Sequence, residues 1–401
     1  MGPLLLTIAE YLLTLGLAVL FIPTALFFLQ MMFAVTRVQE SREPLPTRRA
    51  RIAVLVPANN ESGGIAATLN SIRPQLRAGD RLLVVADNCD DDTASVAATA
   101  GAQVIERHEP QHRGKGYALD FGVRSLEADP PEALVIVDAD CTLGADCLDH
   151  LTQACMKTMH PIQALYLMHS PLGAGPKARL GELAWRVHNL VRPLGGLRLG
   201  LPCQLMGSGM AFPWELIRTA PLASGHLVED LLLGLDLAER GKPPQFCPQA
   251  LVNSIFPATG NLGTQRTRWE HGHMGVIASH GPRLLWWALT KRQLLLAAMA
   301  LDVCVPPLTV LAILLMLALA AALALVFIGS SAAPLWLALV ANSMAAIGIL
   351  LAWWRFGREI VSLSELLAAA AYLLNKLPIY ARLVTGRQTE WVRTKRDDRS
   401  H

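Results

Sequence analysis

Two stretches of the chain are apolar on every side, and the residues between them alternate short β-branched runs with mixed helical segments. Leu4 to Phe33 is interrupted only by Glu10 and a few small polar groups. About 20 apolar residues cross the hydrocarbon core of a bilayer, so this run predicts a transmembrane helix. No basic residue precedes it, it is too long for a signal-peptide core, and no A-x-A cleavage pattern follows. Arg37, Arg42, Arg48, Arg49 and Arg51 come next, which puts that side in the cytoplasm and the N-terminus outside.

The second apolar stretch follows Lys291 and Arg292. Asp302 and Pro306-Pro307 interrupt it early, so it divides into an interfacial helix from Leu294 and a span from Val305 to Ile328. A Gly329–Ala333 turn leads to another span, Pro334 to Trp354, returning to Arg355 and Arg358. The stretch Leu363 to Ile379 carries Glu365, Asn375, Lys376 and Pro378. As a span it would put the basic tail outside, so it reads as interfacial or re-entrant. The expected organisation is a transmembrane helix in 1–36, a cytoplasmic domain in 51–283, interfacial and transmembrane helices in 284–384, and a basic cytoplasmic tail in 385–401. Such a chain belongs in a cell inner membrane.

Between the apolar ends, Ile52–Pro57, Leu82–Ala86, Gln103–Ile105 and Leu134–Val137 have strand length. Helical segments near Gly63–Leu76, Thr93–Ala100 and Tyr117–Leu126 separate them. That alternation predicts an α/β domain with a parallel sheet covered on both faces, whose ligand lies beyond the carboxyl ends of the strands. Composition agrees with a membrane part, at 52% hydrophobic and 17% charged residues. A net charge of +3 gives no sign of a nucleic-acid partner. The seven cysteines lack CxxC or zinc spacing and read as reduced thiols.

The strand ends are polar in a consistent way. The first runs into Pro57-Ala58-Asn59-Asn60-Glu61, the second into Asp87-Asn88-Cys89-Asp90-Asp91-Asp92, and the fourth into Asp138-Ala139-Asp140. The third is followed by His112-Arg113-Gly114-Lys115-Gly116. Singly, each is ordinary, since acidic residues after strands often cap helices. Together they point to chemistry. Two carboxylates at i and i+2 after a buried strand can share a divalent cation with a diphosphate, because hard oxygen ligands suit Mg2+ or Mn2+. A lysine on a glycine-flanked turn can approach phosphate oxygens closely.

With Val228-Glu229-Asp230-Leu231 and Gln265-Arg266-Thr267-Arg268-Trp269 added, the chain resembles a family 2 glycosyltransferase. The resemblance covers most of Arg51–Arg283 and implies a GT-A fold, Rossmann-like with a mostly parallel sheet, flanked here by transmembrane helices. It also implies that Pro57, Asn59, Glu61 and Asp87 bind the donor, Glu61 and Asp87 holding the nucleoside with Asp87 near the base, and that Lys115 lies by the diphosphate. Asp138 and Asp140 match the D-x-D metal motif. Asp230 matches the general base of the E-D motif, where Glu229 would raise its pKa by like-charge repulsion. Gln265, Arg266, Arg268 and Trp269 match the Q-x-x-R-W motif of membrane-integrated cellulose, hyaluronan and chitin-oligosaccharide synthases. Arg266 and Arg268 would face the leaving phosphates, and Trp269 would offer a stacking face to an acceptor sugar. Trp269 also suits an interfacial anchor, as do Trp286 and Trp287. Gly207-Ser208-Gly209 looks like the acceptor-side strand of these enzymes, although a plain bulge fits equally. His271 and His273, at i and i+2 on a helix, face apart and read as structural. Trp391, Arg393 and Thr394 resemble the gating segment of hyaluronan-type synthases, or a basic tail on anionic lipid.

The expected activity is inverting, metal-dependent transfer from a nucleotide sugar, a UDP-sugar first, to a saccharide or lipid-linked acceptor. Its setting would be extracellular polysaccharide or glycolipid synthesis at the bilayer, with other polysaccharide export proteins as partners. Two versions stay open: Q-x-x-R-W points to a processive synthase of a β-linked homopolymer, whereas few spans and no following cyclic-dinucleotide domain point to addition of a single sugar to a lipid-linked acceptor. The alternative, a non-catalytic glycosyltransferase-like subunit of an export complex, predicts loss of a chemical residue, yet every motif residue is present. Scarce intramembrane charge speaks against a transporter.

Overall fold

The computed structural model describes residues 3–36, 44–45, 48–256 and 262–374, with helical backbone alone at 262–269 and 370–374. The chain divides into two units, one built on a sheet and one entirely helical. Helix α1 (Pro3–Val35) belongs to the helical unit.

The sheet unit opens with β1 (Ile52–Ala58), α2 (Ile65–Ile72), β2 (Arg81–Asp87), α3 (Thr93–Thr99), β3 (Gln103–Arg107), α4 (Lys115–Leu126) and β4 (Ala133–Ile136). Then come β5 (Thr142–Leu143), α5 (Cys147–Thr158) and β6 (Ile162–His169). The chain next passes through α6 (Pro176–Arg186) and α7 (Arg192–Arg198) of the helical unit. It returns for β7 (Met210–Pro213), α8 (Trp214–Ile217), α9 (Glu229–Glu239) and β8 (Gln245–Ile255). Helix α10 (Leu262–Thr290) starts in the sheet unit, and the boundary falls at Gly272 and His273.

The sheet has the order β3-β2-β1-β4-β7-β6-β8-β5. Its first four strands are parallel neighbours, as the β-branched runs predicted. The remainder is mixed: β7 is antiparallel to both β4 and β6, β8 is parallel to β6, and β5 is antiparallel to β8. Strand β1 lies inside the sheet and reads as an unbroken apolar run, as strands covered on both faces do. Ala53 and Leu55 meet Ala118, Leu119 and Val123 of α4, with Phe212, Trp214, Leu233 and Leu237 completing this core. Gly122 makes the contact possible, since a Cβ there would lie 2.5 Å from Leu55 Cδ1. The parallel arrangement brings the carboxyl ends of β1, β2 and β4 to one edge. Because β7 pairs antiparallel with β4, Met210 opposite Ile136, the residues that precede β7 reach that same edge.

The helical unit comprises α1, α6, α7, the rest of α10, α11 (Leu294–Val303), α12 (Leu308–Phe327), α13 (Ala333–Phe356) and α14 (Leu363–Leu374). Among the described residues α1, α12 and α13 are long and apolar enough to cross a membrane. The segment Gly175–Gly200, expected within the sheet domain, groups with these helices instead. The cause is visible at Gly195, where a Cβ would fall 1.9 Å from the Gln30 carbonyl oxygen, so α7 lies backbone to backbone on α1.

A buried polar network fixes this contact. Arg192 donates through Nη2 to Asp302 Oδ1 (2.9 Å) and through Nε to Gln30 Oε1 (3.1 Å), while Gln30 Nε2 donates to Asp302 Oδ1 (2.6 Å). Removing one member strands a buried charge, which costs about 3–5 kcal/mol, whereas apolar residues at both positions are nearly neutral. Asp302→Leu is therefore expected to lower the thermal midpoint of the detergent-solubilised protein sharply, and Arg192→Met added to it to restore most of the loss. A double variant no more stable than the single one would contradict this.

Candidate active site

At the end of β2, the Asp87 carboxylate is buried and held from one side. Its Oδ1 accepts Arg107 Nη1 at 2.6 Å and Asn88 Nδ2 at 3.0 Å. Arg107 sits at the end of β3, opposite Asp87 in the parallel register. Its Nη1 also donates to the His112 carbonyl at 3.0 Å, and its guanidinium stands 5.6 Å from the Tyr117 ring centroid. Asn59 donates to the backbone oxygens of Asp87 (2.7 Å) and Asn88 (3.0 Å), tying the end of β1 to that of β2. Among the described residues, Asp87 Oδ2 and the Nε and Nη2 of Arg107 have no partner, so an acceptor and donors stand side by side.

Toward the middle of the sheet lies a cluster of opposite charges. Gly114 adopts φ +137° and starts α4 at Lys115, earlier than the sequence pattern suggested. A Cβ on Gly116 would meet the backbone oxygens of Leu222 and Ser224 at 2.5 Å, so this turn seats directly on the loop leading to Glu229. The Lys115 ammonium forms an ion pair with Asp138 Oδ1 and donates to the Gly207 carbonyl at 2.7 Å. Gly207, at φ +87°, is the hub. A Cβ there would stand 3.3 Å from Asp230 Oδ2, 3.5 Å from Lys115 Nζ and 3.8 Å from Asp138 Oδ2. Ser208 is fully buried behind it, and its Oγ accepts from the Asp138 backbone N–H at 3.0 Å.

These neighbours set the protonation of the cluster. Burial and the adjacent Glu229 push the Asp230 carboxyl up to about 7, with Lys115 pulling the other way. For Lys115, burial disfavours the charge, but Asp138, Glu229 and Asp230 outweigh it and raise the ammonium above its usual range. Asp138 is also raised, by burial and by Asp140, with Lys115 opposing.

Asp138, Asp140 and Cys141 bring their ligand atoms within 4.8 Å of one another. Burial and the two neighbouring carboxylates hold the Cys141 thiol far above its usual pKa. Ser254 Oγ donates to Asp140 Oδ2 at 3.3 Å and fixes one carboxylate. Two hard carboxylates, one of them already paired with a lysine ammonium, fit Mg2+ or Mn2+.

The structure thus brings Lys115, Asp138, Gly207, Glu229 and Asp230 together, with Asp140 beside them. Asn59 and Asp87 line the same edge, where Pro57 is a paired residue of β1 and Glu61 anchors its backbone N–H on Thr93 Oγ1 (2.7 Å). Gln265, Arg266, Arg268 and Trp269 lie in the first turns of α10, described as backbone only. A Cβ on Gly272, less than a turn further on, would lie 2.7 Å from Val228 Cγ1, so this helix packs against the residue preceding Glu229. Trp391, Arg393 and Thr394 lie outside the described residues. Of His271 and His273, the latter is buried and pairs through Nε2 with the Val303 carbonyl (2.8 Å), a structural use. Arg107 and Ser254 were not foreseen. An arginine closing a strand and a serine within one belong to no motif.

Known proteins bear on this geometry. Residues 49–272, more than half of the chain, match the model of glycosyltransferase like family 2. An uncharacterized glycosyltransferase of Mycobacterium bovis is 32% identical over 189 residues, 44% of this chain and 82% of that protein. Glucosyl-3-phosphoglycerate synthase of Mycolicibacterium paratuberculosis is 33% identical over 198 residues, 45% of this chain and 58% of the synthase. Among solved structures, a mannosyltransferase of Pyrobaculum calidifontis in complex with GDP-Man and Mn2+ aligns at TM-score 0.54 and 21% identity. That alignment covers 90% of this chain and 98% of the mannosyltransferase, a likeness of fold.

Proposed function

The chain belongs to glycosyltransferase family 2, and from that premise we propose an inverting, metal-dependent hexosyltransferase held in a membrane, moving a sugar from a UDP-sugar to a lipid-linked or saccharide acceptor. One observation carries the reading: Lys115, Asp138 and Asp230 converge on the backbone of Gly207. Inversion needs a base on the acceptor side and positive charge on the leaving-group side. Asp230 removes the proton of the attacking hydroxyl as its oxygen bonds the anomeric carbon. The bond from that carbon to the diphosphate oxygen breaks, and Lys115 meets the charge left behind. Asp138 and Asp140 would hold Mg2+ or Mn2+, which supplies further neutralisation of the diphosphate.

The donor base follows from Asp87 and Arg107. A free carboxylate oxygen beside free guanidinium N–H groups complements a ring N–H beside a carbonyl. Cytosine lacks that N–H. Guanine adds an amino group that would want a second acceptor, and Asp87 Oδ1 is already engaged. Uracil offers its ring N–H and an adjacent carbonyl to this pair, without an amino group that needs a second acceptor.

Helices α1, α12 and α13 support a bilayer setting, because α1 exposes Leu4, Leu5, Ile8, Leu12, Leu15 and Val19, a surface suited to lipid. With three such helices among the described residues, addition of one sugar to a lipid-linked acceptor is favoured over threading of a long polymer. The test is to supply purified protein and Mn2+ with UDP- and GDP-sugars and to analyse products from polyprenyl phosphate and from oligosaccharides. Turnover of a UDP-sugar to one discrete lipid product is expected. Turnover of GDP-sugars alone, or a long polymer, would overturn the corresponding part of the reading.

A further inference from the structure

The position of Lys115 poses a problem for cation binding. Its ammonium is paired with Asp138, the same carboxylate that would ligate the cation, and is anchored by the Gly207 carbonyl at 2.7 Å. The anchor leaves little freedom, since Gly207 needs φ +87° to present that oxygen, and the space around its Cα is closed by Asp230 and Asp138. A divalent ion arriving alone would have to share Asp138 with a half-buried positive charge a few ångströms away. Like charges at that separation repel strongly where water is scarce. A nucleoside diphosphate reverses the balance, because its oxygens give the lysine another partner.

We propose that Lys115 gates the cation site: it occupies Asp138 in the resting enzyme and releases it to the divalent ion only when a diphosphate takes the ammonium. Cation and nucleotide then bind with strong mutual dependence, and in the resting site the ammonium offsets part of the carboxylate charge. The gate rests on the reading of this cluster as a nucleotide-sugar site and adds its order of assembly.

The experiment measures Mn2+ binding to the full-length protein in detergent by the electron paramagnetic resonance signal of free Mn2+, with and without UDP. Lys115→Met and Lys115→Gln remove the charge and keep most of the side-chain length, each one atom shorter, and two substitutions guard against one that misfolds. Without nucleotide, the variants are expected to bind Mn2+ at least about tenfold tighter than wild type. At saturating Mn2+ they should bind UDP about tenfold more weakly, and UDP should tighten Mn2+ less than it does in wild type. The opposing signs separate a gate from a structural lysine, whose loss would weaken both ligands. If wild type binds Mn2+ and UDP while folded variants gain no Mn2+ affinity, the gate falls and the nucleotide-sugar reading stands. If wild type binds neither, both fall.

Discussion

Asp230→Asn is expected to lower kcat by roughly a thousandfold, within the range that a positioned general base contributes, while donor binding changes little. Asparagine keeps the shape and can still accept the Leu231 backbone N–H, which Asp230 Oδ1 takes at 2.8 Å, but it cannot receive a proton. Two further measurements test the assignment. Since the carboxyl sits at about 7, wild-type kcat/KM should fall about tenfold per pH unit below neutrality as the base is protonated. Stability runs in the opposite sense. The folded protein holds this proton more tightly than the unfolded chain, whose carboxyl titrates near 3.8, so the native state loses stability as pH rises between those values. Asp230→Asn removes that loss. With solvent reaching one side of the carboxyl, a gain on the order of 1–2 kcal/mol at pH 8 is expected, vanishing near pH 4. A slower enzyme that melts higher at pH 8 is the signature of a strained base. A variant that turns over like wild type would remove Asp230 from the chemistry.

Much of this site is legible in the sequence because it depends on the parallel half of the sheet. The runs Ile52–Pro57, Leu82–Ala86 and Leu134–Val137 are long, β-branched and buried on both faces, so their ends can be found and the acids beyond them noticed. The antiparallel half is less visible. Strand β5 is two residues long, and β8 breaks register against β6 between Ala164 and Leu165. Gly207 could be seen as a glycine where backbone and ligand approach. Its actual use, presenting a carbonyl to Lys115, depends on β7 pairing antiparallel with β4, which local pattern does not encode. Arg107 was invisible for a related reason: its partner Asp87 is fixed by the register of two strands, at a separation no motif records. Gly175–Gly200 carries enough polar residues to resemble a soluble segment, and only the backbone contact at Gly195 shows why it joins the apolar helices.

Asp138→Ala and Asp140→Ala should each abolish metal-dependent turnover, yet differ in what they do to the fold. Asp138 is the closest counter-charge of a half-buried ammonium. Alanine there leaves Lys115 with the Gly207 carbonyl and more distant acids, and losing a charged partner costs on the order of 1–3 kcal/mol. Asp140 Oδ1 accepts a weak contact from the Cys141 thiol, at 3.6 Å. Its Oδ2 accepts a long hydrogen bond from Ser254, whose hydroxyl keeps the Asp140 backbone oxygen as an alternative acceptor. Removing its charge also relieves the repulsion that raises Asp138. Asp140→Ala should therefore melt closer to wild type than Asp138→Ala while showing no Mn2+-stimulated sugar transfer, and Asp138→Ala should be both inactive and less stable. Direct Mn2+ titration in the presence of UDP should show the affinity lost in both. If Asp140→Ala retained wild-type transfer at every Mn2+ concentration, the cation would have to sit elsewhere and the pairing of these two carboxylates would have no catalytic meaning.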